Sequence, residues 1–240
     1  SEARLGSDFR YSESRLDGAS KFITKLWNIA RFISSFPHVA KNYALADLDK
    51  MILAELNTLI EECREGFDQM DFFVPATAIR NFTWNIFADH FIEASKSRAY
   101  NPSEKVDRKL QRGAWYTLHT CLQEILKLMA PICPFITDAI WRELYSKKSI
   151  HLQLFPEKKV ALESDLAKLT PEFIKFNTAI WKYKKAKGMA LNENLGTIYA
   201  PRELMPLKED LQAMHGIEEL RFGKAKGKVE SIGENVYLGK

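Results

Sequence analysis

Apolar residues recur at intervals of three and four along most of the chain, and this period constrains the fold more than any other feature. Ala19, Phe22, Leu26, Ile29 and Ile33 begin the pattern. Side chains at these intervals share one face of an α-helix, because the helix turns by ~100° per residue. Several such segments in one chain must bury their apolar faces against each other, so the pattern predicts a helix bundle.

Turn residues and prolines divide the periodic region into six predicted helices. Asp17 or Ser20 is expected to cap the first helix, Gly66 to close the second, and Pro75 to lie in the first turn of the third. Residues 147–165 are expected to cross between helices with little regular structure. The predicted helices are 17–33, 47–64, 72–98, 103–129, 137–145 and 170–188.

The pattern changes after Gly196, where short apolar runs alternate with glycines. These runs predict strands at 197–200, 219–223, 228–232 and 236–238, with a helix at 205–214. The predicted fold class is therefore mainly α, with a small C-terminal α/β appendage. We expect a linker at 1–16, a helix bundle at 17–190 and the appendage at 191–240.

Composition narrows the class of protein. The 46% of apolar residues suffice for a core, and no run reaches the roughly 18 apolar residues of a membrane span. Cys63, Cys121 and Cys133 are too few and too scattered for a disulfide framework, which favours a reducing, cytoplasmic compartment. The chain begins at Ser1 without a signal sequence. We therefore expect a part of a longer protein. Separately, we expect the whole protein to be a monomer.

Motifs for catalysis are absent from the sequence. It contains no glycine-rich phosphate loop, no G-x-S-x-G, no CxxC and no HExxH, and its five histidines are scattered. Cys63 and Cys121 lie on apolar stripes and are expected to be inert core thiols. The sequence therefore predicts no catalytic residue and no metal ligand, and it favours a binding module.

A polar stripe on the first predicted helix suggests what is bound. Lys21, Lys25, Asn28 and Phe32 are spaced by four, three and four residues, on the side we expect to lie opposite the apolar face, and Arg31 flanks them. A ring among cations suits single-stranded nucleic acid, since cations meet phosphates and the ring stacks on a base. The alternative is that Phe32 packs under another helix.

Two further lysine clusters carry the same ambiguity. Lys182, Lys184, Lys185 and Lys187 surround Trp181 and Tyr183 near the end of the last long helix. Lys224, Lys226 and Lys228 alternate in a glycine-rich turn. Each cluster either contacts phosphates or is a solvated surface.

Several motifs resemble those of valyl-tRNA synthetases. The run KLWNIARF at 25–32 resembles the element that opens the anticodon-binding helix bundle of that family, and 5–13 resembles the segment that joins this bundle to the catalytic domain. Residues 82–93 resemble a further helix of the family. The P-x-x-P-F signature in 128–141 is shared with the isoleucyl, leucyl and methionyl branches. The resemblance covers about 1–190, and no coiled coil follows, as in the archaeal type.

The resemblance implies a function. The parent would attach valine to tRNA with ATP, and these residues would bind the anticodon stem-loop of a valine tRNA without catalysing a reaction. The ATP and magnesium sites and the HIGH and KMSKS motifs would belong to the catalytic domain, which together with the editing domain would be a partner in the same chain. The residues themselves need no cofactor. The alternatives are an isoleucyl or leucyl anticodon-binding domain, or a helical protein-interaction scaffold.

The resemblance also implies site residues. Phe32 would stack on an anticodon base, while Lys25 and Arg31 would meet phosphates or base edges. A basic contact of the family falls near Ser14 and is assigned to its neighbour Arg15. With the residues from the helical stripe and the lysine cluster, the predicted tRNA-binding set is Arg15, Lys21, Lys25, Asn28, Arg31, Phe32, Lys182 and Lys185.

Overall fold

The computed structural model describes residues 12–158, 165–225 and 227–239, without the side chain of Arg15. Most of the predicted linker, residues 1–11, lies outside the described residues. The chain divides into two compact units. The first comprises Ser1–Asn42, Leu53–Asp89 and Trp115–Glu163, and the second comprises Tyr43–Ile52, His90–Ala114 and Ser164–Lys240. The predicted domain boundaries stay predictions.

The described residues are mainly helical, which confirms the predicted class. The single helix predicted at 72–98 is a continuous helical segment with a π-helix, Phe82–Ile92, in its middle. No helix in the described ranges is long and apolar enough to cross a membrane. The α-helices are α1 Glu13–Ile33, α2 Asp47–Asp68, α3 Phe73–Asn81, α4 Glu93–Tyr100, α5 Arg108–Met129, α6 Pro134–Leu144, α7 Thr170–Ala186 and α8 Lys208–His215.

Several helix ends differ from the prediction. Helix α1 begins at Glu13, so neither Asp17 nor Ser20 caps it. Helix α5 begins at Arg108, where the Asp107 carboxylate accepts the backbone N–H of Lys109 at 2.8 Å. Helix α6 begins at Pro134, a residue whose missing N–H costs little in a first turn.

Gly66 does not close α2, which continues to Asp68. A Cβ at Gly66 would lie 2.6 Å from Cγ of Pro75. Glycine is therefore needed here because α2 passes close to the start of α3, and the sequence alone did not distinguish this packing role from a helix cap.

Two of the three cysteines in the first unit are part of its core, and the third, Cys133, is half-buried. Cys63 and Cys121 are fully buried, as predicted. Burial, with a smaller effect of Glu62, raises the pKa of the Cys63 thiol to about 12. The thiol is therefore protonated at neutral pH and is a poor nucleophile, because thiolate is the reactive form.

The second unit contains a four-stranded sheet, whose strands are β1 Leu195–Ala200, β2 Ile217–Phe222, β3 Val229–Gly233 and β4 Val236–Gly239. Their order in the sheet is β2-β1-β4-β3. Strand β1 pairs in parallel with β2, and α8 makes the crossover that a parallel pair requires. Strand β4 pairs antiparallel with β1 and with β3. All four predicted strands are present, each shifted by one or two residues at an end.

Helix α7 lies against β3 at a close approach. A Cβ at Gly233 would lie 2.5 Å from Cβ of Ala179. Phe173, Phe176 and Ile180 of α7 are fully buried in the same unit. The sheet is thereby packed onto the last long helix.

Candidate nucleic-acid interface

The polar stripe of α1 lies on a flank of the helix. Lys21 and Asn28 are exposed, whereas Lys25 and Phe32 are half-buried. At ~100° per residue, the stripe is about a third of a turn from the middle of the apolar face, so its prediction as the opposite side was wrong. A flank position allows part of the stripe to contact the rest of the first unit.

Lys25 is already engaged within the first unit. Its Nζ donates to Oδ1 of Asp89 at 2.5 Å and lies 4.5 Å from the centre of the Trp84 ring. Its side chain retains 25% of its exposure. A phosphate that approached Lys25 would compete with Asp89 for this ammonium group, so its contribution to binding is smaller than that of an unpaired lysine.

Lys21 also has an intramolecular partner, but a weaker one. Its Nζ lies 2.6 Å from the Asp17 carboxylate one turn earlier, and both side chains are more than half exposed. Exposed pairs of this kind contribute about 0–1 kcal/mol, so Lys21 can exchange Asp17 for a phosphate at little cost.

Phe32 lies at the C-terminal end of α1 with its ring half-buried. The ring meets that of Phe36 edge-on, at 5.2 Å between centres and 75° between planes. The Ser35 hydroxyl donates to the Phe32 carbonyl at 2.6 Å and fixes the turn that brings Phe36 back. Phe36 is buried. Phe32 is thus supported from one side and partly accessible, as a stacking platform requires.

Arg31 lies on the other flank of α1, beside an aromatic residue that the sequence reasoning left without a role. Trp27 is one turn earlier, is 49% exposed and lines a cleft of about 140 Å³ with Arg31 and Glu143. Ile140 and Leu144 of α6 form its apolar side. The sequence did contain a sign that Trp27 is accessible. Trp27 lies four residues before Arg31, and the helical spacing places both away from the apolar face.

The lysine cluster on α7 separates into two kinds. Lys182 and Lys185 are exposed, as their predicted role requires. Lys184 is fully buried and donates to three backbone carbonyls. Lys187 is exposed and lies 3.5 Å from the Glu230 carboxylate. Only part of the cluster is therefore available to a ligand.

The two aromatic residues within this cluster are half-buried, and each has another side chain against its ring. The Trp181 ring centre lies 5.1 Å from that of His90 and 5.8 Å from that of His215. Tyr183 is half-buried beneath the ammonium of Lys187. The surface at Lys182 and Lys185 therefore offers charge rather than a stacking platform.

The remaining cations predicted from the sequence are the lysines of the glycine-rich turn and Arg15. Lys224 and Lys228 are exposed, while Lys226 and the side chain of Arg15 lie outside the described residues. Within the described ranges, no group of three or more His, Cys, Asp or Glu side chains is placed to hold a metal ion.

Comparisons with known proteins agree with each other. The family model described as the anticodon-binding domain of tRNA ligase matches residues 49–199. The valine–tRNA ligase of Pyrobaculum aerophilum is 38% identical over 237 residues, which are 98% of this chain and 29% of that protein. That of Aeropyrum pernix is 36% identical over 244 residues, 98% of this chain and 30% of that protein. The chain thus spans less than a third of these curated relatives.

Proposed function

The chain belongs to the anticodon-binding domain family of tRNA ligases, and from this premise we propose that it binds the anticodon stem-loop of a valine tRNA. The observation that supports this most strongly is the match of the family model to residues 49–199. The relatives that align with nearly the whole chain bear the name valine–tRNA ligase, which favours valine among the amino acids.

The parent protein that we propose is a cytoplasmic, monomeric valine–tRNA ligase. ATP and magnesium would bind in its catalytic domain, and these 240 residues would require no cofactor. This division between the domains is supported by the cations and the accessible ring that the described residues hold on α1.

The α1 surface supplies the groups that a single-stranded anticodon loop needs. Phe32 offers a supported ring for stacking. Lys21 is an exposed cation of the same stripe, and Arg31 is an exposed cation next to Phe32 in the sequence. Asn28 is exposed between Lys21 and Phe32 on the flank of the helix and can hydrogen-bond to a base edge. Lys25 would join them by exchanging part of its contact with Asp89.

Replacement of Phe32 by alanine is expected to weaken binding of the anticodon stem-loop by about tenfold. The loss follows from removal of one base-stacking contact, which is worth roughly 1–3 kcal/mol. The measurement is a titration of a fluorescently labelled valine-tRNA anticodon stem-loop at fixed salt.

Phe135→Ala is the matched control, because Phe135 lies in the same unit, is 89% exposed and is not in the proposed surface. It is expected to leave the affinity within twofold. Equal affinities for Phe32→Ala and the unsubstituted protein would contradict the stacking role, and an isoleucine-tRNA stem-loop bound as tightly as the valine one would contradict the assignment to valine.

The double variant Lys182→Ala/Lys185→Ala is expected to weaken binding of the stem-loop whatever its sequence. The slope of log affinity against log salt falls by about 0.9 for each phosphate that a cation no longer neutralises, so it should flatten by roughly 1 to 2. Lys147→Ala/Lys148→Ala removes the same charge from exposed positions elsewhere and is the control. Equal slopes in the two double variants would assign Lys182 and Lys185 to a solvated surface.

A further inference from the structure

A groove opens at one end of the sheet in the second unit. It has a volume of about 1110 Å³ and is lined only by residues between Ala200 and Tyr237. Ala200 and Phe222 end the parallel strands β1 and β2 in register, and Val229 begins β3. The family model stops at residue 199, so the similarity to anticodon-binding domains assigns nothing to this groove.

Two aromatic side chains line this groove. Phe222 and Tyr237 are each half-buried, so that part of each ring faces the solvent. Tyr237 lies in β4, opposite Tyr199 of β1 and Ser231 of β3, and the sheet fixes its backbone on both sides. Rings held in this way lose little conformational entropy when a planar ligand stacks on them.

Two cations line the same groove. Arg202 and Lys224 are exposed, and within the described part of the chain neither has a carboxylate partner. Some other cations of this unit are paired, such as Arg221 with Glu219 at 2.9 Å and Lys187 with Glu230 at 3.5 Å. Unpaired cations keep their full attraction for an anion, because no internal contact must first be broken.

Gly223 brings one of these cations over the backbone. Its φ of +101° is a conformation that favours glycine, and a Cβ there would lie 2.9 Å from Nε of Arg202. The guanidinium therefore crosses the turn between β2 and Lys224. Glu203 is an acidic residue of the same lining.

We propose that this groove binds single-stranded RNA, with Arg202 and Lys224 on phosphates and Tyr237 and Phe222 against bases. Cations combined with accessible rings are the arrangement by which proteins bind unpaired nucleotides without sequence preference. The proposal goes beyond the anticodon contact on α1 and does not depend on it, because every group that carries it lies between residues 200 and 237.

The test uses the 240-residue chain and a fluorescently labelled hexauridylate, which contains no stem-loop. Arg202→Ala/Lys224→Ala is expected to weaken binding at least tenfold in low salt and to flatten the salt slope by about 1 to 1.5, at about 0.7 per single-strand phosphate contact. Lys147→Ala/Lys148→Ala is the control of equal charge and should change the affinity by less than twofold. The proposal would be overturned if Arg202→Ala/Lys224→Ala bound hexauridylate as tightly as the unsubstituted chain does.

Two further measurements test the groove without removing a charge and distinguish it from the α1 surface. Tyr237→Leu, which keeps an apolar side chain but removes the ring, is expected to weaken hexauridylate binding about fivefold. Photocrosslinks of a 4-thiouridine hexamer, mapped by mass spectrometry, should fall within 200–237. Crosslinks confined to 13–36 would overturn the groove while leaving the anticodon proposal intact. If hexaglutamate binds as tightly as hexauridylate and the groove variants abolish its binding, the groove is a site for acidic peptide instead.

Discussion

Replacement of Arg98 by methionine is expected to lower the free energy of unfolding by about 3–5 kcal/mol, the loss typical when one partner of a buried ion pair is removed. Arg98 lies on α4 in the second unit and is almost fully buried. Methionine retains most of the apolar length of the side chain, so the loss reports the charge and hydrogen bonds rather than a cavity. The measurement is chemical denaturation followed by circular dichroism.

The geometry around Arg98 explains the size of the effect. Its Nη1 and Nη2 donate to the Asp49 carboxylate at 2.8 and 3.0 Å, and its Nε donates to Asp210 at 2.7 Å. Asp49 lies in the first turn of α2 and Asp210 in α8, so one guanidinium joins three helices. Without it, two buried carboxylates would face each other unpaired.

The cluster holds two carboxylates against one cation, and the pKa values of Asp210 and Arg98 reflect this. Burial raises the pKa of Asp210 to about 6, although Arg98 opposes the shift. Burial lowers the pKa of Arg98, but Asp49 and Asp210 outweigh it and raise the pKa overall. The arginine is therefore charged at every pH at which the protein folds, and it is the group on which both acids depend.

A matched control lies on the same helix. Lys96 of α4 forms a half-exposed pair with Glu93 at 2.6 Å, and Lys96→Met is expected to cost less than about 1 kcal/mol. Adding Asp49→Asn and Asp210→Asn to Arg98→Met should restore part of the missing stability, because no buried charge then remains. A loss below about 1 kcal/mol for Arg98→Met would show that the carboxylates find water or protons at little cost.

The helical framework could be predicted because its signal is local. Each apolar face repeats within one segment, so helices near 17–33, 47–64 and 170–188 follow from spacing alone. The helix ends were harder to predict. Gly66 looks like a helix cap, but it is needed for close packing against Pro75, which lies nine residues later in the chain. The π-helix gave no signal, since apolar residues occupy most positions of 82–92.

The site could be predicted only in part because availability depends on distant residues. Spacing identified Lys25 as a cation of the first helix, but its partner Asp89 lies 64 positions away. Composition likewise gave no means to separate Lys184 from its neighbours Lys182 and Lys185. The three lysines share one helix and one residue type. Lys184 follows the buried Ile180 by four residues and so lies on the buried face of α7, where carbonyls of the loop after Gly188 and of His215 accept from its ammonium.

The ammonium group of Lys184 holds that loop in place through hydrogen bonds. Its Nζ donates to the carbonyls of Leu191 at 2.7 Å, Glu193 at 2.6 Å and His215 at 2.8 Å. Burial lowers the pKa of Lys184, and Glu193 opposes that shift. Three donors meet three carbonyls, so the ammonium closes the turn after α7 and joins it to the end of α8.

His215, which lies next to the Lys184 ammonium, has a lowered pKa. Burial, followed by the charges of Lys184 and His90, lowers the pKa of His215 to about 3. His215 is therefore neutral near pH 7 and does not repel Lys184. Its Nε2 lies 2.8 Å from Oδ1 of Asn177, whose Nδ2 lies 3.1 Å from Nδ1 of His90.

Lys184→Met is accordingly expected to lower the free energy of unfolding by about 2–4 kcal/mol, because it leaves three carbonyls without their donor in a buried site. Lys185→Met is a closely matched control: it changes the same residue type one position later, where the side chain is exposed, and should cost less than about 0.5 kcal/mol. Denaturant titrations of both variants at pH 7 give the comparison. Equal losses in the two variants would mean that water replaces the ammonium, and the loop after α7 would then owe its position to apolar packing alone.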